Sequence, residues 1–182
     1  MRDLFLLMNV SLDGYFEGPD HDLSWATHDF AAFRSETKKE VDTLLFGHRT
    51  YEMMESFWPT PQATEMAPDV AQFMNQAQKV VVSHQPFTPK WDKVTVISAD
   101  VVSAVRRLKA EDGQSIAIFG SNELCVSLMP TGLIDEFQIQ VNPVALGDGT
   151  PLFKGLPEKA ELALIKTHTF PGGVVLLTYR PC

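Results

Sequence analysis

The stretch SIAIFGSNELCVSLMPTGLIDEFQIQVNPVALGDGTPLF, residues 115–153, limits what this chain can become more than any other segment. An apolar β-like run ends at Phe119, Gly120 and Ser121 make a turn, a helical pattern covers Asn122 to Met129, and a second strand starts at Ile134 before a glycine-rich loop. A strand that stops at glycine and opens straight into a helix points backbone N–H groups above the sheet edge, where a phosphate-sized anion fits. The rest of the chain is therefore read as a sheet built around this turn, with further turns supplying the other half of a nucleotide site.

The flanking pattern agrees with an α/β sheet. Leu4 to Val10 is a continuous apolar run closed by Ser11 to Gly14, which predicts a strand buried on both faces. Tyr15 to Ser24 reads as a loop, and a helix is expected from about His28 to Lys39 with Thr27 as its cap. Asp42 to Phe46 is a second strand, ended by Gly47, His48, Arg49 and Thr50, with Tyr51 to Phe57 helical. Pro59 to Thr64 reads as a loop and Pro68 to Gln78 as an amphipathic helix burying Val70, Phe73, Met74 and Ala77. Lys79 to Ser83 and Val94 to Ile97 are strands, and Asp100 caps a helix from Val101 to Lys109. After the GDG loop, Leu162 to Phe170 and Val174 to Arg180 are β-rich and joined across Pro171, Gly172 and Gly173, a hairpin signal. Strands alternating with helices and then an antiparallel pair predict a three-layer α/β sandwich with a mixed, mostly parallel central sheet, as one domain over residues 1–182.

Charge and cysteine usage remove several function classes. A formal charge of −8 argues against a nucleic-acid partner, because such binders need a basic face to displace counterions. An anionic ligand must then be met by local groups and helix ends. Cys125 lies in an apolar helical pattern and Cys182 at the terminus, which leaves neither a disulfide framework nor a metal spacing and predicts a reducing, cytoplasmic setting. LFLLMNV is too short to span a membrane, and Asp3 before it and SLDGY after it fit a buried strand better than a leader.

Three strand ends carry turns suited to anions: GHRT at Gly47 to Thr50, SHQP at Ser83 to Pro86, and FGSNEL at Phe119 to Leu124. Ligands of open α/β sheets sit beyond the carboxyl ends of strands, so three such turns can line one elongated ligand, such as a dinucleotide with an extra phosphate. Arg49 brings a permanent charge in fork geometry, and Thr50 a hydroxyl and a helix N-terminus. Ser83 and His84 suit a phosphate on the adenosine ribose, and Ser121 with the amides after it suits a pyrophosphate. Each residue also has a purely structural reading: Gly47 ends a strand, Arg49 is a solvated charge, and Ser121 or Asn122 caps a helix. The usual Rossmann and nucleoside-triphosphatase fingerprints are missing, as is a nucleophile elbow, and the histidines lack metal-ligand spacing. For proton chemistry the candidates are Asp13, in the turn after the first strand, and Asp29, in the first turn of the next helix, where apolar Trp25, Phe30 and Phe33 can raise a carboxyl pKa.

With these residues assembled, the chain resembles the dihydrofolate reductase superfamily, in the branch of the reductase domain of bifunctional riboflavin-biosynthesis proteins. SLDGY at Ser11 to Tyr15, LLFGHRTYE at Leu44 to Glu52, KVVVSHQP at Lys79 to Pro86 and GLIDEFQIQVNPVALGDGTPLF at Gly132 to Phe153 carry the resemblance, the last most specifically. It implies an NADPH-dependent reductase in which Gly47, Arg49, Thr50, Gly120 and Ser121 hold the pyrophosphate and Ser83 meets the adenosine phosphate. His48, His84, Phe119, Asn122, Glu123 and Leu124 complete the expected cofactor set. The family's helix carboxylate falls on Asp29 by its spacing to Phe33. One departure is Phe119, where members often have a glycine before Gly120 and an unusual cis peptide. The peptide here is either cis, at a cost of about 3 kcal/mol, or trans.

The implied activity is hydride transfer from NADPH to a small pteridine- or pyrimidine-like heterocycle, in the manner of 5-amino-6-(5-phosphoribosylamino)uracil reductase or dihydrofolate reductase. No HxE with a downstream CxxC exists for a zinc deaminase half, so a stand-alone reductase is expected. A nucleotide-binding protein of the same fold without turnover is the alternative, and a homodimer is expected by family analogy.

Overall fold

A computed structural model describes residues 1–26 and 39–182. The expected helix from about His28 and the candidate Asp29 lie outside these residues. In chain order the strands are β1 (Leu4–Val10), β2 (Tyr15–Glu17), β3 (Val41–Gly47), β4 (Gln78–Val82), β5 (Val94–Ile97), β6 (Ser115–Phe119), β7 (Glu136–Val141), β8 (Thr150–Pro151), β9 (Leu162–Thr169) and β10 (Val175–Pro181). The described helices are α1 (His48–Phe57), α2 (Pro61–Met66), α3 (Pro68–Gln76), α4 (Val101–Ala110) and α5 (Asn122–Leu128). The chain divides into two compact units, Met1–Asp3 with Asp29–Ser121, and Leu4–His28 with Asn122–Cys182.

In the first unit β5, β4, β3 and β6 lie side by side, all parallel. Their inner residues are continuous apolar runs: Leu44, Leu45 and Phe46 of β3 and Ile116, Ala117 and Ile118 of β6 are fully buried. Burying a strand on both faces requires apolar residues at consecutive positions rather than alternate ones, which is what these runs supply. In the second unit β1 pairs parallel with β7, β7 antiparallel with β10, and β10 antiparallel with β9. The Pro171–Gly173 turn closes the β9–β10 hairpin, with the Phe170 amide donating to the Val174 carbonyl at 2.8 Å. Parallel pairings thus dominate, and among the described residues antiparallel ones belong to the hairpin, its contact with β7, and a small β2–β8 ribbon.

Three local expectations are corrected. Residues 61–66, read as loop, form α2: Thr60 is its N-cap, accepting from the Ala63 amide at 3.3 Å, and Pro61 occupies the first turn where no amide donor is needed. Tyr15–Glu17, also read as loop, is a strand, because its partner Thr150–Pro151 arrives from a distant part of the chain. Asp100 occupies the position before α4 in a left-handed conformation (φ 46°) and makes no side-chain cap bond.

One buried charge has a stability consequence. Lys79 of β4 is fully buried, its Nζ donating to the Asn75 and Ala77 carbonyls, both at 3.0 Å, and lying 4.4 Å from the Trp91 ring centroid. Burial, reinforced by Lys93, lowers its pKa to about 8. The unfolded chain then holds this proton more tightly than the folded one between about pH 8 and 10.4, so this group adds stability as pH rises through that window. In urea unfolding, wild type is expected to gain up to about 3 kcal/mol over Lys79→Met between pH 7.5 and 10.5. A pH-independent difference between the two proteins would contradict this account.

Candidate functional site

Three parallel strands of the first unit, ordered β4, β3, β6, end in the three turns singled out above. β3 ends at Gly47, and α1 begins at His48, so GHRT forms the helix's first turn. β6 ends at Phe119, and the backbone then turns through two consecutive positive φ values, +69° at Gly120 and +64° at Ser121. Glycine adopts this conformation freely, whereas serine does so at a cost of roughly 1 kcal/mol. No described peptide bond is cis, so Phe119–Gly120 is trans.

The Ser121 conformation is held by what its hydroxyl does. Ser121 Oγ accepts from the Gly47 amide at 2.7 Å and donates to Thr50 Oγ1 at 2.8 Å. A Cβ on Gly47 would lie 3.0 Å from Ser121 Oγ, and one on Gly120 would lie 3.1 Å from Thr50 Cγ2. The GHRT and FGS turns therefore shape each other, and a side chain at either glycine would make the facing turn give by a few tenths of an ångström. Arg49, exposed, is the residue before Thr50 in this junction.

The third turn joins through His48. Ser83 is buried; its hydroxyl donates to the Gln85 carbonyl at 2.7 Å, accepts from the Gln85 amide at 3.2 Å, and lies 3.2 Å from His48 Nδ1. The His48 ring stacks on Phe87 with centroids 4.3 Å apart, and its Nε2 lies 3.6 Å from Glu52. His84 is exposed at the apex of this turn. Gly47, His48, Arg49, Thr50, Ser83, His84, Phe119, Gly120 and Ser121 are thus brought together in one unit. Phe119 itself is buried, so only its backbone borders the turn. Asn122, Glu123 and Leu124 open α5 in the second unit, where Leu124 is buried and Glu123 exposed.

In the second unit Asp13 anchors a different loop. Its carboxylate accepts from the Ser11 hydroxyl at 2.7 Å, the Gly147 amide at 2.7 Å and the Leu146 amide at 3.1 Å. The Ser11 bond first, then the two amides, lower its pKa to about 2. At neutral pH it is a carboxylate tying the SLDG turn to the GDG loop, with no proton to give. Beside it, Glu17 is buried, accepting from Thr150 Oγ1 at 2.9 Å, with His21 Nδ1 3.1 Å away.

Sequence reasoning missed the support behind the site: Tyr51, Glu55 and Phe87. Their signal was present in the spacing of His48, Tyr51 and Glu55, which places the three on one helical stripe. Among the described residues there is no His/Cys/Asp/Glu group that could hold a metal and no helix long and apolar enough to cross a membrane.

Mostly parallel strands and a C-terminal antiparallel hairpin place the chain in the α/β class that includes dihydrofolate reductase. Within it, the RibD C-terminal domain family matches residues 2–176, and the chain belongs to that family. YwjB of Bacillus subtilis is 32% identical over 182 residues, spanning 98% of this chain and 97% of its own. YyaP of the same organism is 26% identical over 179 residues, spanning 98% and 95%. A Shewanella sp. PV-4 protein named for riboflavin biosynthesis has the same fold, with TM-score 0.75 and 24% identity over 99% of both chains. A Thermotoga maritima diaminohydroxyphosphoribosylaminopyrimidine deaminase/5-amino-6-(5-phosphoribosylamino)uracil reductase matches at TM-score 0.73 and 17% identity, over 100% of this chain and 57% of that one. Enterococcus faecalis dihydrofolate reductase, solved with NADP(H), matches at 0.67 and 14%, over 98% and 96%. The fold is accordingly the three-layer, mostly parallel α/β fold of these proteins.

Proposed function

We propose that this protein is an NADPH-dependent oxidoreductase acting on a small heterocycle of the pyrimidine or pteridine type. The observation that carries the reading is the hydrogen-bonded junction of Gly47, Thr50 and Ser121, with the Ser83 turn joined to it through His48. The fit to the cofactor is steric as well as polar. At Gly47 and Gly120 a side chain would press on the opposite turn, so the absence of one lets the two turns meet directly and brings the start of α1 beside the Gly120–Ser121 turn. Arg49 and the first turn of α1 would hold that group, and Ser83 with His84 the phosphate on the adenosine ribose. When bound, NADPH supplies the hydride. The chain's own part is to orient the cofactor against the heterocycle and exclude water. Asp13, held ionised, keeps the GDG loop in place, and the proton donor is assigned to Asp29. The names of the Thermotoga and Enterococcus proteins support this substrate class and cofactor. The same reading takes residues 1–182 as one reductase domain working as a cytoplasmic homodimer.

A fluorescence titration tests the assignment. Wild type is expected to bind NADPH at or below tens of micromolar, and Arg49→Ala to weaken binding about tenfold, the loss of one charged hydrogen-bonding group of about 1.5 kcal/mol. Because Arg49 is exposed, the variant's unfolding free energy should change by less than about 0.5 kcal/mol. Equal affinity in the two proteins would contradict the role of Arg49. Buried Phe119 in place of a second glycine favours a second reading, a nucleotide-binding protein without turnover. Tight NADPH binding with no oxidation across a panel of pyrimidine and pteridine substrates would select it.

A further inference from the structure

The loop of residues 83–91 runs from the Ser83 turn without regular structure, yet it is fastened along one stripe of α1. His48 and Tyr51 flank the Phe87 ring, at centroid distances of 4.3 and 5.5 Å. One turn further along, Glu55 Oε1 accepts the Lys90 amide at 2.5 Å and the Trp91 amide at 2.9 Å, and also the Tyr51 hydroxyl. Trp91 Nε1 donates to Asn75 Oδ1 at 2.7 Å, fixing the far end of the loop on α3. The helix whose first turn is GHRT therefore also grips the segment that begins with SHQP.

We propose that Glu55 is a positioning residue that sets the Ser83–Gln85 turn relative to the Gly47–Thr50 turn, and so governs recognition of the phosphate on the adenosine ribose. The inference rests on the NADPH reading above. Three donors converge on one carboxylate oxygen, and a charged acceptor makes each bond stronger than a neutral one would. Burial alone would raise the Glu55 pKa, but the Tyr51 hydroxyl and the Lys90 and Trp91 amides outweigh it, so the acceptor is ionised. Tyr51 is fully buried, and burial together with Glu55 raises its phenol pKa, which keeps it a donor. Without the carboxylate the Lys90 amide loses its acceptor, the Trp91 amide keeps only a 3.4 Å contact with the Tyr51 hydroxyl, and between the Trp91–Asn75 bond and the Phe87 ring contacts the loop is no longer tied to α1 by its backbone. The Ser83 hydroxyl, which bridges Gln85 and faces His48, would then no longer be held at a constant place beside α1.

NADPH and NADH differ only by that phosphate, so the ratio of their dissociation constants reads the turn directly. Wild type is expected to favour NADPH; Glu55→Ala should cut the preference about tenfold, almost wholly through weaker NADPH binding. Glu55→Gln, which keeps a neutral acceptor oxygen, should cut it no more than about threefold. Hydrogen exchange should show the Lys90 and Trp91 amides losing protection in Glu55→Ala while α4 keeps its own; if protection falls throughout the chain, Glu55→Gln carries the comparison. Equal weakening of both nucleotides, or an unchanged preference once those amides are deprotected, would overturn the positioning role alone. A wild-type protein that binds neither nucleotide would overturn the NADPH reading itself, before any variant is made.

Discussion

Replacing Gly149 with alanine is expected to lower the unfolding free energy by about 3 kcal/mol or more. Gly149 has φ +140°, a conformation L side chains rarely adopt, and its added Cβ would collide with the Glu17 carbonyl oxygen and lie 3.1 Å from Gly18 Cα. Both obstacles are backbone atoms, so no side-chain rotation relieves the clash. Glu17 is buried and belongs to the β2–β8 ribbon, which must open or shift to admit the methyl group. Gly147→Ala is the control: its φ is +76° and a Cβ there meets nothing within 4 Å, so only the left-handed backbone cost of about 1 kcal/mol applies. Urea unfolding of both variants separates the effects. If Gly149→Ala is no less stable than Gly147→Ala, contact with Glu17 does not constrain the loop.

Gly47→Ala is expected to have the largest effect on the proposed cofactor site. Gly47 has ordinary extended geometry (φ −75°), so alanine adds no backbone strain. Its Cβ would, however, lie 3.0 Å from Ser121 Oγ and 3.3 Å from Ser121 Cβ, tighter than usual contact. Ser121 must retreat by a few tenths of an ångström, which stretches or bends the bonds it accepts from the Gly47 amide and donates to Thr50. Breaking either bond moves two turns at once. NADPH affinity should fall at least tenfold, about 1.4 kcal/mol, with a stability loss of about 1 kcal/mol. Ser121→Ala, which removes the bridging hydroxyl without crowding, should weaken NADPH binding in the same direction. Unchanged affinity in Gly47→Ala would mean that the junction is structural only.

Much of this architecture was legible because continuous apolar runs and glycine-terminated strands are local signals. LFLLMN, TLLF and SIAIF each carry enough consecutive apolar residues to require burial on both faces, and each became a parallel strand. The misses have equally local or nonlocal causes. Thr60–Pro61 carried a helix-start signal that went unread, whereas β2 exists only because residues far along the chain pair with it. For the site, residue types were readable but mutual geometry was not. Asp13 is a candidate for acid or base work by its place after the first strand, but no local pattern shows that the Leu146 and Gly147 amides, more than a hundred residues away, bond its carboxylate. Nothing local to Glu55 signals the Lys90 and Trp91 amides that end on it.

By itself the sequence determined the order of the long sheet strands and of α1, α3, α4 and α5, and the positions of the glycine turns, because these follow from hydrophobic period and backbone freedom within a few residues. Tertiary structure alone decided that Ser121 bridges Gly47 and Thr50, that His48 faces Ser83, and that Glu55 holds the loop beyond it. These contacts join residues tens of positions apart, and a hydrogen bond a few ångströms long depends on how strands align in the sheet, which no local pattern encodes.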